Sequence, residues 1–139
     1  MTEAEAEKFV QAFATARSRG RGEELWSDGG ELHYPFANRI VGGDEMGMLN
    51  DLAAKNSPNV TWELLGWTHR QNVIVVEWRC TNRYGDTRIE FSGVDKLTIV
   101  AGKIVKEVVY TDTAPLQAMR QGRTFEALIQ LPKRGERFA

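Results

Sequence analysis

Two β-rich runs joined by a short glycine-containing turn constrain the fold of this chain more than any other feature. They extend from Phe91 to Asp112 and meet at Ala101-Gly102. Side chains of a strand point alternately to its two faces, and Asp95 occupies an alternate position among apolar residues that should face a core. A carboxylate in an apolar interior is costly unless it is paired or protonated. The sequence therefore predicts a hairpin with a candidate site at Asp95.

Length and charge limit the classes of protein to consider. The chain has 139 residues, a hydrophobic fraction of 42% and a net charge of −1. These values indicate one soluble domain and predict no nucleic-acid or membrane partner. We expect a single domain over residues 1–131 and a flexible tail at residues 132–139. The lone Cys80 and the acidic N-terminus predict a cytoplasmic protein without an internal disulfide or a signal peptide.

The N-terminal segment predicts an amphipathic helix. Thr2 and Glu5 fit a capping box, in which each side chain satisfies the backbone N–H of the other residue. The apolar residues that follow recur at the spacing of one buried helical face. That predicted face consists of Ala6, Phe9, Val10 and Phe13.

The next segment predicts short elements and a second long helix. We expect a helical turn at Glu23–Ser27, a chain turn at Asp28–Gly30 and a short strand at Glu31–Phe36. Asp44 is expected to cap the helix that follows. The predicted apolar face of that helix consists of Met46, Leu49, Leu52 and Ala53.

The remainder of the chain is typical of an antiparallel meander, because β-branched and aromatic residues alternate with short polar connections. After Asp112, Pro115 fits the first turn of a helix, and Thr124–Leu131 predicts one or two further turns. Helices followed by a curved antiparallel sheet give an α+β fold. Helices on the concave face of such a sheet leave a cone-shaped cavity, the usual place for a small ligand. The predicted strands are Val60–Trp67, Asn72–Tyr84, Thr87–Ile99 and Lys103–Thr111.

This order of elements and short motifs resembles the nuclear transport factor 2-like superfamily, and within it the SnoaL-like and ketosteroid-isomerase-like proteins. The resemblance covers roughly residues 5–115 and implies a cone-shaped, cystatin-like fold. The superfamily includes isomerases, cyclases, dehydratases, epoxide hydrolases and non-catalytic binders, so the resemblance implies the fold rather than one reaction. The matching motifs are Tyr34-Pro35, Gly42-Gly43, Gly93-Val94-Asp95, Gly102-Lys103-Ile104 and Tyr110-Thr111-Asp112.

The resemblance also implies which catalytic positions this chain keeps. Asp95 stands where ketosteroid isomerases have the aspartic acid that binds the substrate oxyanion, and that residue stays protonated at neutral pH. Tyr34 stands where those enzymes have the general-base aspartate, and Phe9 replaces their oxyanion tyrosine. Steroid isomerisation by that mechanism is therefore not expected. His33, next to Tyr34, should face away from the cavity.

The turn between the last two strands decides which residue lies opposite Asp95. A three-residue turn at Val100–Gly102 suits the sequence, because Ala101 is disfavoured in a two-residue turn. This register places Glu107 across from Asp95 and predicts an acid/base pair with raised pKa values. The two-residue alternative places Lys96 opposite Glu107. A further alternative is that a hydrogen bond or an arginine holds Asp95 in a structural role.

We predict Asp95 and Glu107 as catalytic residues, with no metal and no cofactor. One hypothesis is a cofactor-independent acid/base enzyme of isomerase, cyclase or hydrolase type, acting on a small hydrophobic molecule. The second is a non-catalytic binding or dimerisation module, and a third is a structural partner domain. By resemblance, a homodimer through the outer sheet face is expected. The predicted ligand-binding residues are Tyr34, Trp78, Asn82, Phe91, Phe9, Phe13, Val109 and Thr111.

Overall fold

Two helices in the N-terminal part of the chain precede a series of long strands. The computed structural model describes residues 1–35, 37–84 and 86–122. The elements follow the predicted order and confirm the α+β class. The helices are α1 (Glu3–Ser18), α2 (Gly42–Asn56) and α3 (Ala114–Arg120), with a 3₁₀ turn at Glu23–Leu25, and the strands are β1 (Trp26–His33), β2 (Ile40–Val41), β3 (Thr61–Arg70), β4 (Val73–Tyr84), β5 (Thr87–Val100) and β6 (Lys103–Thr111).

Helix α1 begins with the predicted capping box. The Glu5 N–H donates to Thr2 Oγ1 at 3.3 Å, and the Thr2 N–H donates to Glu5 Oε2 at 2.7 Å. Both bonds satisfy N–H groups that the helix itself leaves without a partner. The predicted buried face is also confirmed, with Phe9 at its half-buried margin. The fully buried members are Ala6, Val10 and Phe13.

The six strands form one sheet in the order β2-β1-β6-β5-β4-β3. Strands β3 to β6 are the predicted antiparallel meander. Strand β1 joins this meander through β6, to which it runs parallel. The closing hairpin of β5 and β6 therefore occupies the middle of the sheet.

The sheet is strongly curved, and α1 lies against its concave face. The Phe13 ring lies 6.5 Å from the Trp26 ring on β1 and 6.1 Å from the Trp62 ring on β3. Four strand spacings separate β1 from β3, which would place them about 19 Å apart in a flat sheet. Only a curved sheet lets one phenyl ring contact both, so the predicted arrangement of helices and sheet is confirmed.

Strand β1 is longer than the sequence predicts, and it begins earlier. The segment Asp28–Gly30, predicted as a turn, lies inside β1. A Cβ at Gly30 would lie 2.7 Å from the Ile104 carbonyl oxygen on β6. Glycine therefore serves close strand pairing here instead of a turn. The strand predicted at Glu31–Phe36 in fact ends at His33.

Helix α2 begins at Gly42, two residues before the predicted cap, Asp44. Val41 is the N-cap residue, and its N–H donates to the Glu45 carboxylate at 2.7 Å. A carboxylate in the first helical turn is favourable because it lies near the positive end of the helix dipole.

Only part of the predicted apolar face of α2 is buried. Met46 is fully buried and Leu49 is half-buried, whereas Leu52 is 55% exposed and Ala53 is also exposed. The helix packs on β1, β2 and the 3₁₀ turn, which all lie at one margin of the sheet. The predicted inward orientation of Leu52 and Ala53 was wrong because the sheet does not extend beneath the second half of α2.

The turn between β5 and β6 has two residues, so the three-residue turn that the sequence favoured is wrong. Val100 pairs with Lys103 across Ala101 and Gly102. Their φ angles are 50° and 74°, and two central residues with positive φ are what a type I′ turn requires. Ala101 therefore adopts a conformation that an alanine seldom takes.

A β-bulge in β6 then shifts the register, so that neither sequence-based alternative is correct. Ile99 pairs with Ile104 but Thr98 pairs with Lys106, which leaves Val105 as an extra residue. Beyond the bulge, Glu107 lies opposite Leu97, and Asp95 lies opposite Val109. Burial changes phase at the same place: Ile104 is buried before the bulge, and Glu107 and Val109 are buried after it.

Some predictions fall on residues outside the described ranges. These are the turns predicted at Thr124–Leu131 and the tail predicted at residues 132–139. Among the helices of the described residues, none combines the length and apolar character needed to cross a membrane.

We predict that Ala101→Gly raises the free energy of unfolding by up to about 1 kcal/mol, because glycine adopts a positive φ at little cost. Chemical denaturation monitored by circular dichroism measures the change. Ala12→Gly, the same replacement at an exposed position of α1, should instead lower stability by about 1 kcal/mol. If both substitutions raised, or both lowered, the free energy of unfolding, the prediction would be contradicted.

Candidate functional site

Asp95 lies in the interior, on the face that the strand alternation predicts. The residue is only 2% exposed. The indole Nε1–H of Trp78 donates to Asp95 Oδ1 at 2.8 Å. Trp78 pairs directly with Gly93 on β5, where a Cβ would overlap its ring. The missing side chain of Gly93 therefore leaves room for the indole beside Asp95.

Glu107 is fully buried and forms an ion pair with an arginine of α1. Arg17 Nη2 lies 2.7 Å from Glu107 Oε1, and the Arg17 side chain is 19% exposed. Its guanidinium carbon lies 5.1 Å from the centre of the Phe13 ring and 5.2 Å from that of the Trp26 ring. The charge is thus held by a carboxylate and by two aromatic rings, which attract cations.

The carboxyl groups of Asp95 and Glu107 influence each other's pKa, although the residues are diagonal neighbours rather than opposite one another. Burial raises the pKa of Glu107 to about 8; Arg17 opposes this shift and the charge of Asp95 adds to it. Burial also raises the pKa of Asp95, against the effects of Arg17 and of the Trp78 hydrogen bond. With one guanidinium beside two carboxyls, the pair retains a proton at neutral pH.

Two further polar side chains near the pair stay protonated at neutral pH. Burial raises the pKa of Tyr34 to about 12 and the pKa of the Cys80 thiol to about 12. The negative charge of Asp95 adds to both shifts. Cys80 is therefore a buried thiol rather than a reactive thiolate.

A cleft of about 310 Å³ opens at the end of β1. Tyr34 lines it and also packs against the buried core. His33 lines the same cleft from the other side of the chain, where its Nε2 lies 3.0 Å from Glu31 Oε2. Tyr34 thus packs inward as expected, but His33, which was expected to face away from the cavity, lines the same cleft.

The other predicted ligand-binding residues lie at different depths. Phe91 meets Trp78 edge to face, with 6.0 Å between ring centres, and Val109 lines the cleft. Phe9 packs at the margin of the core. Phe13 is fully buried beneath the Arg17 guanidinium.

Asn82 is not placed beside Asp95 by its strand position, whereas Thr111, which pairs with Gly93, is a diagonal neighbour of Asp95. Asn82 pairs with Ile89, six residues before Asp95 on β5, a separation of roughly 20 Å along a strand. Its Oδ1 accepts the Arg83 backbone N–H at 2.8 Å. The Thr111 hydroxyl donates to the Ser92 carbonyl at 2.8 Å.

Arg17 is the site residue that sequence reasoning missed. A signal was present, since Arg17 follows Phe13 by four residues and continues the buried face of α1. Arginine at the end of a helix is most often exposed, so the spacing alone did not identify it. One alternative drawn from the sequence was that an arginine holds Asp95.

Charged residues on the outer sheet face form ion pairs, two of them between strands and one within β5. Arg79 lies 2.8 Å from Glu63 and 3.8 Å from Glu90, and Arg88 lies 3.4 Å from Glu90. Such exposed pairs contribute little to stability. Within residues 1–35, 37–84 and 86–122, no group of three or more histidine, cysteine or acidic side chains could hold a metal ion.

Comparison with known proteins identifies one family. The model of the SnoaL-like domain matches residues 6–107, which include Arg17, Asp95 and Glu107. No curated protein matches the chain.

Solved structures share the fold at low sequence identity. A protein from Jannaschia sp. CCS1, assigned as a SnoaL-like polyketide cyclase, is similar with a TM-score of 0.72 and 13% identity over 84% of this chain and 91% of that one. AclR from Streptomyces galilaeus, assigned as a hydroxylase, is similar with a TM-score of 0.70 and 19% sequence identity over 95% of this chain and 91% of that one. A protein with a ketosteroid isomerase-like fold from Catenulispora acidiphila DSM 44928, in complex with trimethylamine, has a TM-score of 0.72 and 12% sequence identity over 83% of this chain and 92% of that one.

We predict that Gly93→Ala lowers the free energy of unfolding by about 1–3 kcal/mol, because the new methyl group displaces Trp78. Urea denaturation followed by tryptophan fluorescence measures this. Gly66→Ala is the matched control on β3, where a Cβ meets no atom within 4 Å. Equal effects of the two substitutions would contradict the proposed fit between Gly93 and the indole.

Stability should fall as the pH rises from about 4.5 to about 8. The folded state raises the pKa of Glu107 from 4.5 to about 8, so it binds more protons than the unfolded state in this window. The free energy of unfolding then decreases by up to about 1.4 kcal/mol per pH unit. Asp95→Asn should flatten this dependence, whereas Glu90→Gln on the outer face should retain it. A native stability that rises with pH across the window would contradict the assignment.

Proposed function

Because the chain belongs to the SnoaL-like domain family, we propose that it is a cofactor-independent enzyme that transfers protons on a small, largely apolar carbonyl compound. Proton transfer next to a carbonyl group is a step common to isomerases and cyclases. The observation that carries this proposal is the buried pair of Asp95 and Glu107, which keeps a proton beside Arg17.

Asp95 is the better position for the shared proton. Glu107 Oε1 already binds the Arg17 guanidinium at 2.7 Å, which favours the ionised form of Glu107. Glu107 Oε2 has no hydrogen-bond donor among the described residues. A proton on Asp95 supplies that donor, while Asp95 Oδ1 accepts from Trp78. One proton thus satisfies both carboxyl groups.

This protonation state provides an acid and a base side by side. When a substrate binds, the proton of the acid Asp95 turns from Glu107 to the substrate carbonyl oxygen and donates a hydrogen bond there as negative charge develops. Glu107 accepts the proton that leaves the carbon next to the carbonyl, which gives an enolate that the Asp95 hydrogen bond stabilises, and Glu107 can return the proton to a second carbon. Burial raises the pKa of Glu107 to about 8, which makes its ionised carboxylate a stronger base than that of an exposed glutamate.

The surrounding side chains suit an apolar substrate. Tyr34 can donate its hydroxyl proton to a substrate oxygen, because its pKa of about 12 keeps it protonated. The edge-to-face rings of Trp78 and Phe91 would contact the apolar part of the molecule. The assignment of the Jannaschia protein as a polyketide cyclase supports a carbonyl-containing substrate. We also propose a homodimer through the outer sheet face.

A second candidate function is a binding module without chemistry, and the depth of the pair favours it. Asp95 is 2% exposed and Glu107 is not exposed at all. Both carboxyl groups have partners in the protein, Trp78 and Arg17. In this case Arg17, Asp95 and Glu107 hold α1 on the sheet, and a ligand contacts only the aromatic side chains.

We predict that the native protein accelerates exchange of the α-protons of 2-indanone with D₂O, measured by ¹H NMR. Asp95→Asn should reduce that acceleration by about 10²-fold or more. Stability near neutral pH should be preserved, because the amide can still accept from Trp78 and donate to Glu107. Glu90→Gln, on the outer face, should exchange at the native rate.

The same experiment separates the two candidates. A native protein that does not accelerate exchange, together with an Asp95→Asn variant that is less stable but binds 2-indanone with unchanged affinity, would support the binding module and contradict the enzyme. Thermal unfolding and a binding titration supply the two additional measurements.

A further inference from the structure

The sheet has a gap where β1 ends before its neighbour does. The last pair between β1 and β6 is His33 with Val108, whereas β6 continues to Thr111. The cleft lies at this gap and is lined from both faces of the sheet. His33 and Val108 belong to the outer face, and Tyr34 and Val109 to the inner face. Tyr34, on which the charges of Asp95 and Glu107 act, therefore borders this gap from the inner side.

The rim of the cleft carries an excess of positive charge. Arg39 lines it and is largely exposed, with Nη1 at 3.3 Å from Glu31 Oε1. Lys106 pairs with Glu31 across the two strands, and its charge acts on the same carboxylate. Arg39 and Lys106 bring two positive charges against the one negative charge of Glu31. Arg39 has further N–H donors that Glu31 does not use.

The walls of the cleft are apolar. Pro35, Ala37, Val108 and Val109 line it together with the Tyr34 ring. The volume of about 310 Å³ is at the lower end of the range for small-molecule sites. A single aromatic ring with a short substituent matches this combination of size, apolar wall and cationic rim.

We propose that this cleft binds a small aromatic carboxylate, with Arg39 contacting the carboxylate and Val108, Val109 and Tyr34 contacting the ring. The inference rests on the proposed function in one respect. It proposes that the substrate of the Asp95–Glu107 pair carries a carboxylate and that this group binds at the cleft. The ligand carboxylate and Glu31 would both accept hydrogen bonds from the guanidinium of Arg39, which can bind two acceptors at once.

Benzoate and its neutral isostere benzamide test the proposal. Titration of the native protein, followed by NMR of the valine methyl groups, should show shifts at Val108 and Val109 and tighter binding of benzoate than of benzamide. Arg39→Gln should weaken benzoate binding by about fivefold, the factor expected for one exposed charge contact, and leave benzamide unchanged. Arg88→Gln, another exposed arginine that is ion-paired on the outer face, should bind both probes as the native protein does.

Three results would overturn the proposal: no binding of benzoate, equal binding of benzoate and benzamide, or unchanged benzoate affinity in Arg39→Gln. Failure of the proposed function is measured separately, because benzoate binding does not require proton exchange. If the protein binds benzoate through Arg39 but does not accelerate exchange of 2-indanone, the cleft proposal stands and the proposed enzymatic function is rejected. If the protein accelerates exchange but does not bind benzoate through Arg39, the proposed function stands and the cleft proposal is rejected.

Discussion

The contact on which the structure depends is the ion pair between Arg17 and Glu107, with Asp95 buried on the neighbouring strand. Removing one member of a buried pair leaves an uncompensated charge, which typically costs about 3–5 kcal/mol. Arg17 approaches Glu107 only when α1 lies along the concave face, and Phe13 then reaches the tryptophans of both β1 and β3. The position of the helix, the curvature of the sheet and the protonation of the carboxyl pair are therefore linked.

A single inserted residue makes this contact possible. Without Val105 as the extra residue of the bulge, the two-residue turn would leave Lys96 opposite Glu107, with both on the outer face. The bulge reverses the alternation, so that Glu107 turns inward next to Leu97. Bulges commonly redirect a side chain toward a functional site. Here the redirected side chain is a carboxylate, and the same shift brings Val109 to the wall of the cleft.

The elements that the sequence predicted correctly depend on local chemistry. The capping box, the buried face of α1 and the four long strands follow from residue types and short spacings. The turn register could not be predicted, because Ala101 adopts a positive φ that alanine disfavours and because nothing local marks Val105 as a bulge. Asp95 was identified from alternation alone. Arg17 was not, since its burial depends on a carboxylate far away in sequence.

The distance along the chain between the two members of the ion pair has a consequence for folding. Arg17 and Glu107 are separated by 90 residues, and contacts between remote parts of a chain form slowly because a long loop must first close. During synthesis on the ribosome, α1 emerges well before β6. Until the last hairpin has been made, the guanidinium has no buried carboxylate to meet, so α1 cannot dock in its final position. Completion of the core therefore coincides with the arrival of the strand that carries the proposed base.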